Sequence, residues 1–219
     1  ESEYREVHQK AAVLYRKQAR FQLITTGKIS QKSLLFEDQH LERLRTASRY
    51  FAFPFDSENL KQKIEEECHA CDANQDYRLR ISLSKSGEIE VERRVLTPLS
   101  PSFCQAKLCL QEVNLQQAFT YFKTSYRPHL SLGEQEKIYH NQRGELLETS
   151  IGNLVLKIAG KLYTPSIRLG ILPGIYRQHL LETGQVEEKV LTLADFAQAE
   201  AIYGCNAVRG LYELSVKES

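Results

Sequence analysis

The stretch over residues 137–183, KIYHNQRGELLETSIGNLVLKIAGKLYTPSIRLGILPGIYRQHLLET, decides the fold. Runs at 137–140, 145–148, 152–158 and 161–164 each have the length and apolar content of a strand. Asn141-Gln142-Arg143-Gly144 and Ala159-Gly160 separate them with turn-forming residues, so the pattern is a meander. It ends at Leu169-Gly170-Ile171-Leu172-Pro173-Gly174, a glycine- and proline-rich turn that opens a helix over 175–183. Beyond it, Thr192 or Asp195 starts a further helix, and 200–205 and 211–216 read as closing strands.

Upstream the chain alternates differently. Residues 3–18 read as a helix, with Tyr4, Val7, Ala11 and Leu14 near one stripe. A β-branched run over 21–26 ends at Gly27, and a second apolar run covers 33–36. Asp38 is the expected cap of a helix whose Leu41, Leu44, Ala47 and Ser48 share one side. An aromatic loop with Pro54 leads to a helix capped by Asp56 or Ser57, running to about Cys71. Tyr77, Leu79, Ile81 and Leu83 alternate with Arg78, Arg80 and Ser82, the mark of a half-buried strand. Ser86-Gly87 turns it into 89–95. Thr97-Pro98-Leu99-Ser100-Pro101-Ser102 is the best linker, followed by a strand near 106–110. This mixed order predicts an α+β protein in two lobes and not a doubly wound sheet. The expected division is a leading helix and linker over 1–18, a small lobe over 19–113 and a larger lobe over 114–219.

Composition narrows the chemistry. Among 219 residues, 29 Lys and Arg nearly balance 28 Asp and Glu. A net charge of +1 gives no general electrostatic reason to bind nucleic acid or an acidic membrane. No apolar run reaches membrane-spanning length, and the charged first twenty residues do not read as a signal peptide. The five cysteines are odd in number and irregularly spaced, as in a reducing cytoplasm. Cys68-His69-Ala70-Cys71 lacks a second ligand pair for zinc. With Leu60 and Ile64 on the same face, its thiols read as buried, and no metal site is expected.

Four features carry chemistry. Lys123 sits in Phe122-Lys123-Thr124-Ser125-Tyr126-Arg127, where desolvation and a nearby cation favour a neutral, nucleophilic amine. Read alone, it is first an exposed lysine. Glu148, before the Thr149-Ser150-Ile151-Gly152 turn, can hold a proton on a ring nitrogen or simply cap a strand edge. The turn at Gly174 opens a helix whose free N–H groups suit a phosphate. Arg43, in His40-Leu41-Glu42-Arg43-Leu44, can add a charge-assisted clamp, while His40 reads as structural. Together, a lysine that forms a Schiff base, a carboxylate for a pyridine nitrogen, a phosphate cup and an arginine are what pyridoxal phosphate needs.

The order of these elements resembles the class IV aminotransferase family, the fold-type IV pyridoxal-phosphate enzymes. His40-x-x-Arg43-Leu44, the Lys123 segment, Glu148 to Asn153, Leu172-Pro173-Gly174-Ile175-Tyr176-Arg177 and Cys205-Asn206-Ala207-Val208-Arg209-Gly210 resemble its motifs in sequence order. The resemblance implies a smaller N-terminal α/β lobe and a larger, barrel-like C-terminal lobe, like those of D-amino acid aminotransferases. It also implies roles. Lys123 is the catalytic lysine that carries the cofactor, and Glu148 keeps its ring nitrogen protonated. Arg43, the N–H groups of Ile175 and Tyr176, and Asn206 with Ala207 hold the phosphate. Phe21, Arg80 and Arg127 are the candidates for substrate contact.

Within the family, Phe21 to Gly27 and Ala47 to Pro54 resemble the 4-amino-4-deoxychorismate lyases. The implied reaction releases pyruvate and leaves 4-aminobenzoate for folate biosynthesis in the cytoplasm. The first residues resemble the end of a chorismate-aminating synthase module, so a fused or associated synthase and a homodimer are expected. A branched-chain or D-amino acid aminotransferase is the enzyme alternative, and a degenerate class IV domain acting only in interactions is the non-enzyme one.

Overall fold

The computed structural model describes residues 21–111, 118–131 and 133–216. The helix expected over residues 3–18 lies outside the described residues. A four-stranded antiparallel sheet comes first, in the order β2-β1-β3-β4. Its strands are β1 (Leu23–Ser30), β2 (Ser33–Leu34), β3 (Tyr77–Leu83) and β4 (Ile89–Val95). Helices α1 (Glu37–Phe51) and α2 (Ser57–His69) join the same core. Leu41 and Leu44 of α1 and Leu60, Ile64 and Cys68 of α2 pack with Leu79, Ile81 and Leu83 of β3. Each fully buried aliphatic side chain contributes about 1.5–3 kcal/mol. Cys71 belongs to this core too, so both thiols of the Cys-x-x-Cys are buried and free.

Two local expectations are corrected. Gly27 does not end β1, which continues to Ser30. A Cβ at Gly27 would lie 2.6 Å from Nε2 of His40 and 2.8 Å from Cδ1 of Leu34. The glycine therefore permits close approach of α1 to the sheet, and His40 uses it to reach Thr25, with Nδ1 2.6 Å from Oγ1. Asp38 does not cap α1. Phe36 precedes the helix in a left-handed conformation with no side-chain cap, because its ring packs against Tyr176 and His179 of the second lobe. Glu37 and Asp38 lie in the first turn, where the helix dipole favours negative charge. Asp56 does cap α2, accepting from the N–H groups of Glu58 and Asn59 at 3.1 and 3.0 Å.

The second sheet contains β5 (Gln105–Leu110), β6 (Lys137–His140), β7 (Leu146–Thr149), β8 (Asn153–Ile158), β9 (Lys161–Pro165), β10 (Glu187–Lys189), β11 (Ala201–Asn206) and β12 (Gly210–Val216). Strand β7 pairs with β6 on one side and with β8 on the other, through Glu148 opposite Asn153. The ring β5-β6-β7-β8-β11-β12 thereby closes into a barrel, and β9 and β10 extend from β8. Its core gathers Ala106, Ile138, Leu146, Leu154, Leu156, Leu191 and Leu214. Short helices α3 (Pro101–Cys104) and α4 (Ala118–Tyr121), a 3-10 turn at Ile167–Leu169, then α5 (Ile175–Glu182) and α6 (Leu193–Ala197), complete the described elements. Thr192 and Asp195 form a reciprocal capping box on α6.

Strand β5 pairs with β6 and β12 of the barrel. The change of sheet therefore precedes β5, at the proline-rich linker, and not at 113/114. Lengthwise, residues 106–110 supply a barrel strand that sequence position alone assigned to the smaller lobe. Arg209 ties the crossover down by donating from Nη1 to the Thr97 carbonyl. Among the described residues, no helix is long and apolar enough to cross a membrane.

Candidate active site

A cavity of about 440 Å³ opens between the first sheet and the barrel. The strand alternation explains one wall. Odd-numbered residues of β3 point into the core, and Arg78 and Arg80 line the cavity beside Ile24 and Thr26 of β1. The polar face of this strand lines a site.

Lys123 enters the same cavity because its flanking backbone is pinned to the start of β1. The Ile24 N–H donates to the Lys123 carbonyl and the Ser125 N–H to the Gln22 carbonyl, both at 2.9 Å. Gln22 returns a bond from its N–H to Ser125 Oγ, 2.9 Å, and Leu23 bridges to Thr124. Thr124 is buried and donates to the Tyr126 carbonyl at 2.7 Å. Burial lowers the Lys123 ammonium to about 7, and the positive charges of Arg43, Arg127, Arg78 and Arg80 push in the same direction.

Glu148 stands at the end of β7, only 3% exposed. Loss of water raises its carboxyl above the usual range, against the pull of Arg127 and a backbone hydrogen bond at Leu172. Arg127 Nη2 lies 3.3 Å from Glu148 Oε2. Arg127 thus pairs with Glu148 while it lines the cavity.

Across the β7–β8 turn, Asn153 donates from Nδ2 to the Leu172 carbonyl at 2.9 Å. A Cβ at Gly174 would fall 1.8 Å from Asn153 Oδ1, so only glycine fits where the loop meets β8. Helix α5 begins immediately afterwards and has no side-chain cap. Its first N–H groups are open to an anion. Arg43 reaches the same turn from α1, its Nη2 donating to the Pro173 carbonyl at 2.6 Å. Burial and then Arg127 lower the Arg43 guanidinium to about 10, still charged at neutral pH. Gly174→Ala must displace Asn153 or the start of α5. We expect it to weaken binding of a phosphate-bearing ligand by about ten-fold or more, since each 1.4 kcal/mol is tenfold. Calorimetric titration of the apoprotein with pyridoxal phosphate measures this.

The turn between β11 and β12 completes the wall. Asn206 Oδ1 accepts from the N–H groups of Val208 and Arg209 at 3.0 and 2.9 Å, shaping the turn that carries Ala207 into the cavity. Ile175 lines the cavity. The Tyr176 ring packs on Phe36 and His179. Phe21 is a correction. Its ring lies 5.0 Å from Phe51, 5.4 Å from Phe53 and 5.0 Å from Phe119, in an aromatic cluster that supports the small lobe instead of lining the cavity.

Six cationic side chains, Arg43, Arg78, Arg80, Lys123, Arg127 and Arg209, therefore face one carboxylate, Glu148. Sequence reasoning left out Arg78 and Arg209. The i, i+2 spacing from Arg80 would have found Arg78, because residues two apart share a strand face. His40 is a supporting residue. Burial, with Arg43 and Lys123 nearby, lowers it to about 3, so it stays neutral behind the site.

Residues 22–215 match the class IV amino-transferase family, and the chain belongs to it. It is 22% identical to the aminodeoxychorismate lyase of Saccharomyces cerevisiae, over 86% of this chain and 69% of that protein. A Mesorhizobium loti protein assigned as an amino-acid aminotransferase superposes with a TM-score of 0.78 at 28% identity, covering 90% of this chain and 100% of the other. A hypothetical aminotransferase from Mycobacterium tuberculosis, solved in a PLP-bound form, superposes with a TM-score of 0.73 at 16% identity, over 90% and 81% of the two chains. The fold is that of the fold-type IV aminotransferases. Pyridoxal phosphate fits the residues present: an uncapped helix start with a glycine that no side chain could replace, an arginine beside it, a desolvated amine and a buried carboxylate all face one cavity.

Proposed function

We propose that this chain is a pyridoxal-phosphate-dependent lyase that acts on 4-amino-4-deoxychorismate, releasing pyruvate and leaving 4-aminobenzoate. The observation that carries the reading is the convergence of Lys123, Glu148, Arg43 and the start of α5 on one cavity. The name of the yeast relative supports the lyase over other reactions of the family.

When bound, the cofactor supplies an electron sink for charge that develops on the substrate. The chain's own residues do the rest. Lys123 Nζ would tether the cofactor and would move a proton at the substrate ring. A pKa near 7 suits both tasks, because the amine takes and returns the proton near neutral pH. Glu148 holds a proton at the ring nitrogen, and Arg127 keeps that carboxylate oriented. Arg43, the N–H groups of Ile175 and Tyr176, and the Asn206-Ala207 turn hold the phosphate. The same reading makes 19–113 and 114–219, with the boundary shifted ahead of β5, the two lobes of one lyase unit. It includes a homodimer, a fused or associated chorismate-aminating synthase, and a cytoplasmic place in folate biosynthesis.

The Mesorhizobium loti relative favours a second reading, an amino-acid aminotransferase. Supplying 4-amino-4-deoxychorismate without any keto acid separates them. The lyase forms 4-aminobenzoate and pyruvate in equal amounts. Amino transfer that requires a keto acid, with no 4-aminobenzoate, overturns the lyase reading.

A further inference from the structure

Glu136 is a buried carboxylate that no catalytic step uses. It stands just before β6 and is 0% exposed. Its backbone is fixed on both sides: its N–H donates to the Phe103 carbonyl and its carbonyl accepts from the Lys107 N–H, each at 2.9 Å. Its side chain meets the turn between β7 and β8. Oε1 accepts from Ser150 Oγ at 2.5 Å and from the Ile151 N–H at 3.1 Å. Oε2 accepts from the Tyr212 hydroxyl at 3.2 Å. All three donors are neutral. Burial raises the carboxyl above its usual range, against hydrogen bonds from Ser150, Ile151, Thr149 and Tyr212. An apolar side chain would fill the same space without that cost. What the carboxyl group supplies instead is acceptors at fixed points.

The turn it grips borders the active site. Ser150, Ile151, Gly152 and Asn153 follow Glu148 directly, and all line the cavity. Ile151 is held at both ends of its backbone. Glu136 takes its N–H, and Asn206 Nδ2 donates to its carbonyl at 3.4 Å. The two turns also meet through their backbones, because a Cβ at Gly152 would lie 2.5 Å from the Cys205 carbonyl oxygen, next to Asn206. Tyr212 reaches Glu136 from β12 across β11, where the residue opposite it is Gly204. A Cβ at Gly204 would lie 2.4 Å from Cζ of the ring. A chain of contacts from Tyr212 through Glu136 and Ile151 to Asn206 therefore runs behind the cavity wall. Removing its central acceptor leaves a peptide N–H and two hydroxyls to find other partners, and the turn must shift for them to do so.

We propose that Glu136 is a positioning residue: by gripping Ser150 and Ile151 from behind the wall, with Tyr212 fixing its second oxygen, it sets the Asn206-Ala207 turn where the cofactor phosphate needs it. Glu136 itself touches neither cofactor nor substrate. This rests on the phosphate contact assigned to the Asn206-Ala207 turn, and not on the choice between lyase and aminotransferase.

The test titrates the chain, freed of cofactor, with pyridoxal and with pyridoxal phosphate by calorimetry. Both probes offer Lys123 the same aldehyde, so the ratio of their affinities isolates the phosphate end. Glu136→Ala is expected to lower that ratio about ten-fold, the effect of one buried polar group left without its partner. Glu136→Gln should keep most of it, because the amide oxygen still accepts from Ile151 while a hydroxyl can turn to accept from the amide nitrogen. Asn206→Ala should lower the ratio as well, and adding Glu136→Ala to it should lower it little further, since residues acting through one contact are not additive. A role in stability alone would lower the melting temperature and weaken both probes equally. That unchanged ratio overturns the proposal, as do additive losses in the double variant or a folded Gln variant as impaired as Ala. Should Glu136→Ala fail to fold, Tyr212→Phe replaces it in the same cycle. It keeps the ring over Gly204 and removes only the hydroxyl, and a ratio equal to the parent's there overturns the proposal too. If Asn206→Ala leaves the ratio unchanged, the phosphate contact of that turn is wrong and Glu136 has nothing to act through. Turnover does not enter the measurement, so either outcome leaves the lyase and aminotransferase readings to their own test.

Discussion

Lys123→Ala is expected to abolish covalent capture of pyridoxal phosphate and to lower kcat by roughly 10²–10⁴-fold or more, the range lost with a proton-transferring side chain. The absorbance band of the lysine-bound cofactor should vanish, and a full kcat with a normal spectrum would refute the role of Lys123. The same geometry fixes a pH dependence. The amine ionises near 7 in the folded chain, far below its usual 10.5. Only the neutral amine is nucleophilic, so the rate of cofactor capture by the apoprotein should rise through about pH 7 and level off above it. Stability follows the same protonation. Between 7 and 10.5 the unfolded chain binds the proton that the folded chain rejects, so stability rises with pH over that window. Below 7 the full cost of charging a desolvated lysine among four arginines is present. Apo Lys123→Ala should therefore melt above the apo parent at pH 6, and the gap should shrink toward pH 10. A variant that loses function while gaining thermal stability cannot owe its inactivity to misfolding.

The sites of agreement and error between sequence and structure have a common physical basis. Periodicity reports which side of an element is apolar. It therefore located the Leu41/Leu44/Ala47 stripe of α1, the alternation of β3 and the meander that becomes half of the barrel. It does not report what the polar side faces. By alternation alone Arg78 belongs to the solvated half of a strand, yet with Arg80 it lines a cavity, because the barrel covers that face. Gly27 and Gly174 show the same limit. Locally each reads as a chain breaker, yet each marks a close approach by a distant residue, His40 in one case and Asn153 in the other. Phe36 took the capping position expected two residues later at Asp38 because its ring packs on α5, a contact across more than a hundred residues. Phe21 went astray for the opposite reason. Three other phenylalanines draw its ring into their cluster. That Lys123, Glu148 and Arg43 line one cavity was legible because each sits in a short motif whose order along the chain is itself informative.

Glu148→Gln is the second large effect expected, and it separates charge from shape. The amide keeps the volume of the carboxyl group at a position only 3% exposed, but it cannot hold a proton at the ring nitrogen as an anion does. Preorganised electrostatic groups of this kind are worth about 10²–10³-fold in kcat, and a loss of that size is expected. Removing the partner of a fully buried ion pair costs about 3–5 kcal/mol, yet Arg127 is open to the cavity and Glu148 is itself destabilised as an anion. Because burial outweighs Arg127 and raises the Glu148 carboxyl, the folded chain holds this proton more tightly than the unfolded one. Its contribution is thus fully present below the usual value of 4.5 and is lost as pH rises through the raised one. Glutamine mimics the protonated form at every pH, so apo Glu148→Gln should melt at or above the apo parent at pH 7. The freed Arg127 adds one net positive charge to a cavity that already carries six cations. Anionic ligands should therefore bind more tightly, read as a lower KM or as stronger inhibition by inorganic phosphate, while kcat collapses. A proportional loss of kcat and of anion affinity would mean that Glu148 acts by holding the cavity in shape, and the electrostatic role given to it would be wrong.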